Sequence, residues 1–92
     1  MEKKYTITIE YCVPWNYWPR AARVADDILS NYQHVIKNFT LITGSKGIFH
    51  VKVNDDTLYS KKVMGRHAEP GEVLRLFKEV VGYDVPTYPQ SK

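Results

Sequence analysis

The chain has 92 residues, of which 43% are hydrophobic and 25% charged, with a formal net charge of +3; these values suit one folded domain and exclude a disordered chain, a fibrous repeat or two domains of ordinary size. No apolar run approaches the roughly 20 residues that cross a bilayer, and the chain enters an alternating pattern without a hydrophobic leader, so a soluble, cytoplasmic protein without membrane attachment is expected. Cys12 is the single cysteine, which excludes a disulfide framework, and no His/Cys cluster has zinc-ligand spacing.

Tyr5–Tyr11 alternates, with Tyr5, Ile7, Ile9 and Tyr11 on one face and Thr6, Thr8 and Glu10 on the other, which predicts a half-buried strand. The chain then runs through Cys12-Val13-Pro14-Trp15-Asn16-Tyr17 into a helix over Trp18–Ser30, whose apolar stripe is Ala22, Ala25, Ile28, Leu29 and Tyr32. Pro19 disfavours helical geometry at Trp18, so the helix should start well past Cys12. A second strand is read over Val35–Ile42, a glycine-containing turn over Thr43–Gly47 and a third strand over Ile48–Val53. Asn54-Asp55-Asp56-Thr57 carries reversal chemistry leading into a fourth strand, Leu58–Lys62, as an antiparallel hairpin. After a loop over Val63–Ala68, Glu69-Pro70 has the composition of a helix start, Val73, Leu74, Phe77, Val80 and Val81 form a buried stripe, and Gly82 suits the helix end.

The order β-α-β-β-β-α predicts an α/β two-layer sandwich: a four-stranded mixed sheet with both helices on one face, the first two strands parallel and adjacent through a right-handed crossover. Residues 1–82 form the single domain and 83–92 an extended C-terminal tail.

Candidate chemistry concentrates in one loop. A thiol at a strand–loop–helix junction sits where redox proteins favour a thiolate, and Trp15, Tyr17 and Trp18, stiffened by Pro14 and followed by Arg20, make an aromatic surface that can receive a peptide or protein. The basic residues are scattered and no RNP-like strand motif is present, so nucleic-acid binding is not expected. His34, His50 and His67 lie far apart and are read as solvated, the pairs Asp26-Asp27 and Asp55-Asp56 as structural. Gly44 and Gly47 lack the Gly-Lys-Ser/Thr ending of a phosphate loop.

Glu10-Tyr11-Cys12 ending the first strand, Arg20-Ala21-Ala22 in the helix, Thr43-Gly44-Ser45-Lys46-Gly47 leading into Ile48-Phe49, and Tyr59-Ser60-Lys61-Lys62 before the last helix together resemble the selenoprotein W-related (SelT/SelW/SelH, Rdx) family of thioredoxin-like proteins, nearly end to end. That resemblance implies a thioredoxin-like fold and a C-x-x-C or C-x-x-U site, of which Cys12 matches the first position while Trp15 stands at the second; Lys46 stands where relatives often have a glycine. It implies a thiol redox role in which Cys12 is the catalytic residue and an outside thiol, glutathione or a partner protein's cysteine, resolves the intermediate. No resident cofactor or metal is called for, with glutathione as the candidate co-substrate. The alternative is a non-catalytic module that binds a protein partner through Trp15, Tyr17, Trp18 and Arg20.

Overall fold

The computed structural model describes residues 3–89. Its elements are β1 (Tyr5–Cys12), α1 (Trp18–Tyr32), a 3-10 turn (Gln33–Val35), β2 (Ile36–Gly44), β3 (Phe49–Val53), β4 (Asp56–Ser60), α2 (Lys61–Met64) and α3 (Glu72–Val81). The sheet order is β2-β1-β3-β4, with β1 parallel to β2 and antiparallel to β3, and β3 antiparallel to β4. This is the predicted mixed sheet. One core joins Tyr5, Ile7 and Ile9 of β1, Phe49, Val51 and Val53 of β3, Ala21, Val24, Ile28 and Tyr32 of α1, and Val73 and Phe77 of α3. Both helices therefore cover the same face.

Because β2 and β3 flank β1, the chain between them crosses over the C-terminal end of β1 rather than forming a hairpin. The crossing is the turn Ser45–Ile48, closed by the Ile48 N–H donating to the Ser45 carbonyl at 3.3 Å, with Lys46 at φ 60° and Gly47 at φ 74°. Two consecutive left-handed residues define a type I′ turn, and a lysine there occupies a conformation that glycine or asparagine adopts at lower cost. At the opposite end, Asn54, with φ 55°, turns β3 into β4 and pins the start of β1: its N–H donates to the Thr6 carbonyl (2.7 Å) and the Thr6 N–H to its Oδ1 (3.1 Å).

Several boundaries and faces differ from the sequence reading. The hairpin turn is tighter, so β4 begins at Asp56, and the last two residues of the predicted fourth strand instead open α2, because the Ser60 hydroxyl accepts from the Val63 N–H as a helix cap. Glu69-Pro70 does not start α3; the Glu72 N–H bonds back to the Glu69 carbonyl, Gly71 turns left-handed at φ 79°, and the helix begins at Glu72. On α1 the fully buried stripe is Ala21, Val24, Ile28 and Tyr32, with Ala22, Ala25 and Leu29 half-buried beside it; on α3, Val80 faces solvent. β2 extends to Gly44 alongside Cys12. In the tail, the Tyr88 N–H donates to the Asn31 carbonyl (2.7 Å) and His34 Nε2 lies 3.0 Å from the Pro86 carbonyl, so residues 83–89 lie back against the end of α1.

Candidate active site

β1 delivers Cys12 to the end of the sheet, opposite Gly44, from which the chain enters the crossing turn. Cys12 breaks the strand's alternation: it falls in the phase of Thr6, Thr8 and Glu10 rather than of the core residues Ile7 and Ile9, yet its exposure is 0%, and its thiol is free. The Val13 N–H donates to the Gly44 carbonyl at 3.0 Å, extending the ladder one residue further. The chain then reverses in the turn Val13–Asn16, closed by the Asn16 N–H to the Val13 carbonyl at 2.9 Å, with Asn16 at φ 55°, a conformation asparagine tolerates. The Tyr17 N–H returns to the Cys12 carbonyl at 2.9 Å. Tyr17 caps α1 by accepting from the Arg20 and Ala21 N–H groups, each at 3.1 Å, and Pro19 sits in the first turn, where its missing N–H costs nothing. Trp18 is helical even though a proline follows it, yet α1 still begins well past Cys12.

The aromatic side chains form two contact groups around this turn. Trp15 is 62% exposed and Trp18 45% exposed, whereas Tyr17 is half-buried. Trp15 meets Tyr17 edge-on at 6.1 Å between ring centroids, Tyr17 meets His67 edge-on at 4.6 Å, and Tyr11 lies 5.7 Å from Trp18. Trp15 also lies against Gly47: a Cβ built there would stand 2.6 Å from Trp15 Cζ3. Trp15 thus braces the Val13–Asn16 turn against the crossing turn, and Gly47 is required both for its φ and for the space the ring fills. Lys61 Nζ lies 5.9 Å from the Tyr17 ring centroid.

Arg20 is exposed on the first turn of α1, where it lines a groove of about 220 Å³ together with Arg23, Asp27, His67 and Glu69 over a floor that includes Phe49 and Val73. Burial, reinforced by the nearby charges of Arg20 and Lys61, holds His67 below the ordinary histidine value. This corrects the solvated reading of the histidines: Nδ1 of both His34 and His67 is buried without a hydrogen-bond partner, and His50 Nε2 sits 2.9 Å from Thr57 Oγ1. The loop leading to α3 is fixed by a bidentate pair, Arg66 Nη1 and Nη2 each donating at 2.8 Å to a Glu72 carboxylate oxygen, while the Glu69 N–H donates to Oε1 at 2.9 Å. These bonds to Arg66, then the bond from the Glu69 N–H, hold the buried Glu72 carboxyl at about 2, well below its usual 4.5.

The five residues singled out from sequence thus gather at one end of the molecule: Cys12 inside, Trp15 and Trp18 outside, Tyr17 between layers and Arg20 on the adjoining groove. Gly47, Lys61 and His67 belong to the same region but read in the sequence only as a turn glycine, a strand residue and a solvated histidine, because each reaches the loop only through tertiary packing. Among the described residues no group of three His, Cys, Asp or Glu side chains could hold a metal ion, and no helix is long and apolar enough to cross a membrane.

The Rdx family model matches residues 6–79, spanning all four strands and most of α3. The chain belongs to the Rdx family. Among solved structures, this Rdx protein is similar to a selenoprotein W-related protein from Vibrio cholerae, at TM-score 0.80 and 21% identity over 87% of this chain and 100% of that one. It is also similar to a protein from Bordetella parapertussis, at TM-score 0.78 and 25% identity over 84% and 98% of the two chains. Both likenesses concern the thioredoxin-like fold. No curated protein matches the chain.

Proposed function

We propose that this Rdx protein is a single-thiol exchange protein in which Cys12 is the nucleophile and an outside thiol takes the part of the missing second position. The Cys12 thiolate attacks a disulfide R–S–S–R′, forming Cys12–S–S–R and releasing R′S⁻. A thiolate R″S⁻, from glutathione or a protein cysteine, then attacks the R sulfur, so that R–S–S–R″ leaves and the Cys12 thiolate returns. The observation that carries this reading is the location of the one thiol: it stands at the family's first motif position, at the C-terminal end of β1, where the chain leaves it in a turn closed by two backbone bonds. At 0% exposure the sulfur must be uncovered before it reacts, and the Val13–Asn16 turn, exposed along its length, is the segment able to open.

A second reading is favoured by the inverse exposure, sulfur covered and tryptophans uncovered. In it Trp15 and Trp18 dock a protein partner and Cys12 serves only as packing.

Incubating folded protein with glutathione disulfide and following the mixed disulfide by intact mass separates the two, with Cys12→Ala as the blank. Thiol exchange is supported when the adduct forms in native buffer and glutathione then reverses it. If the adduct forms only when denaturant unfolds the whole domain, the exchange reading is lost and docking remains; loss of partner capture in Trp15→Ala but not in Cys12→Ala then identifies the tryptophan as the contact.

A further inference from the structure

The two edges of the sheet are treated differently. β4 is five residues long, begins with Asp56 and runs directly into α2, so it offers little backbone to a neighbouring strand. β2 is nine residues long and has a strand on one side only. From Asn38 to Gly44 it contains no charge and no proline, although edges of this kind are ordinarily guarded by lysine, proline or a twist. Leu41 and Ile42 are 40% and 43% exposed.

The direction of the free backbone groups follows from one bond. The Gly44 carbonyl accepts from the Val13 N–H and so points toward β1. N–H and C=O groups alternate sides along a strand, hence Ile42 and Thr40 also point inward, while Thr43, Leu41 and Phe39 present theirs outward. The register places Phe39 and Leu41 opposite Ile7 and Ile9 on the helix side of the sheet, and Thr40 and Ile42 opposite Thr8 and Glu10 on its open side.

We infer that β2 pairs antiparallel with β2 of a second copy about a two-fold axis at Thr40, joining two sheets into one of eight strands. In that register Phe39 faces Leu41 of the second copy and Leu41 faces its Phe39, both as hydrogen-bonded pairs on the helix side. Thr40 faces Thr40, and Ile42 faces Asn38 on the open side. The strand is complementary to itself in this direction: Phe39 and Leu41 meet apolar against apolar, and the strand's single charge, Lys37, meets Thr43 of the second copy, whereas parallel in-register pairing would set lysine against lysine. Antiparallel pairing also closes on itself as an isologous dimer. The inference is independent of thiol exchange. Cys12 lies opposite Gly44, about four residues and so about 13 Å from the axis, and the two sulfurs fall at opposite ends of the interface, where no disulfide can join them.

Sedimentation from about 10 µM to about 1 mM, a range covering weak interfaces, should show the mass rising from 10.7 kDa toward twice that value, equally with reductant and in Cys12→Ala. Amide exchange at Phe39, Leu41 and Thr43, and not at Thr40 or Ile42, should slow roughly tenfold when the concentration exceeds the dissociation constant about tenfold. Leu41→Lys, at an exposed position, should stay at the monomer mass with an unchanged circular dichroism spectrum. A constant monomer mass for the unaltered chain, a dimer indifferent to Leu41→Lys, or slowed amides lying outside β2 would each overturn the inference; the exchange pattern decides it even if Leu41→Lys fails to fold.

Discussion

Gly47→Ala tests the brace between the loop that carries Cys12 and the turn that crosses above it. Two separable costs are expected. Alanine at φ 74° carries a left-handed penalty of about 1–2 kcal/mol, whatever stands next to it. The new methyl would also lie 2.6 Å from Trp15 Cζ3 and 3.0 Å from Cε3, inside the favourable carbon–carbon separation of about 3.5–4.0 Å, so the ring must withdraw by roughly 1 Å. Trp15 is the exposed end of a rotatable side chain, so withdrawal costs its contact with Gly47 and with Tyr17, on the order of 0.5–1 kcal/mol, rather than a core rearrangement. The total of about 2 kcal/mol corresponds to a Tm lowered by about 8–16 °C for a domain of this size. Denaturant melts of Gly47→Ala, Trp15→Ala and the double variant isolate the ring term: in the Trp15→Ala background the glycine substitution should cost only its backbone part, leaving a coupling of about 0.5–1 kcal/mol. Alkylation of Cys12 by iodoacetamide should accelerate in both single variants, since each frees the Val13–Asn16 turn from the crossing turn. If the glycine substitution costs the same with and without the tryptophan, and the alkylation rate does not change, the brace has no energetic substance and the reasoning fails.

Two further outcomes follow from the site. The Glu72 carboxyl titrates at about 2 in the fold against about 4.5 in its ordinary state, so it binds its proton more weakly when folded: its stabilisation is present above pH 4.5 and disappears as pH falls from 4.5 toward 2. Glu72→Gln should therefore flatten the pH dependence of unfolding free energy in that window and cost about 1–2 kcal/mol at neutral pH, below the full linkage value because Arg66 stays partly in water; an unchanged acid limb in chemical denaturation would contradict the assignment. Trp15→Cys restores a second sulfur at the family's motif position and should yield an internal disulfide with Cys12 on mild oxidation, detected as loss of both free thiols without a mass doubling; persistence of two free thiols would mean the turn does not bring the positions within bonding reach.

Local pattern carried the scaffold well. The alternation of Tyr5 to Tyr11 has only one buried phase, and a helix between two short strands admits essentially one handedness of crossover, so the parallel β1–β2 pair and the β3–β4 hairpin were legible from the chain. The face of α1 was less so, because Ala21/Val24 and Ala22/Ala25 are two apolar stripes one residue apart, and the choice between them is made by how the chain enters from the Val13–Asn16 turn. The start of α3 misled for a related reason: Glu69-Pro70 has the composition of a helix opening, but left-handed Gly71 resets the chain and the acidic residue at the true start is Glu72. Its partner Arg66 lies six residues back across an irregular loop, a spacing no helical or strand period marks. At the site, sequence located Cys12 and the aromatic run but not their exposure, since the burial of the thiol depends on how the end of the sheet is closed, and Trp15 finds its seat on Gly47, more than thirty residues downstream, through a long-range approach.

The burial of its thiol gives any chemistry at Cys12 a speed limit. A reagent that must wait for the Val13–Asn16 turn to part reacts in proportion to its concentration only while opening is fast; beyond that the rate reaches a plateau equal to the opening rate itself. That plateau would be identical for glutathione disulfide, a peptide disulfide or an alkylating agent, because it belongs to the polypeptide and not to the incoming molecule. Discrimination among reaction partners in this protein would then reside in what can hold the turn open, with the sulfur indifferent to which of them arrives.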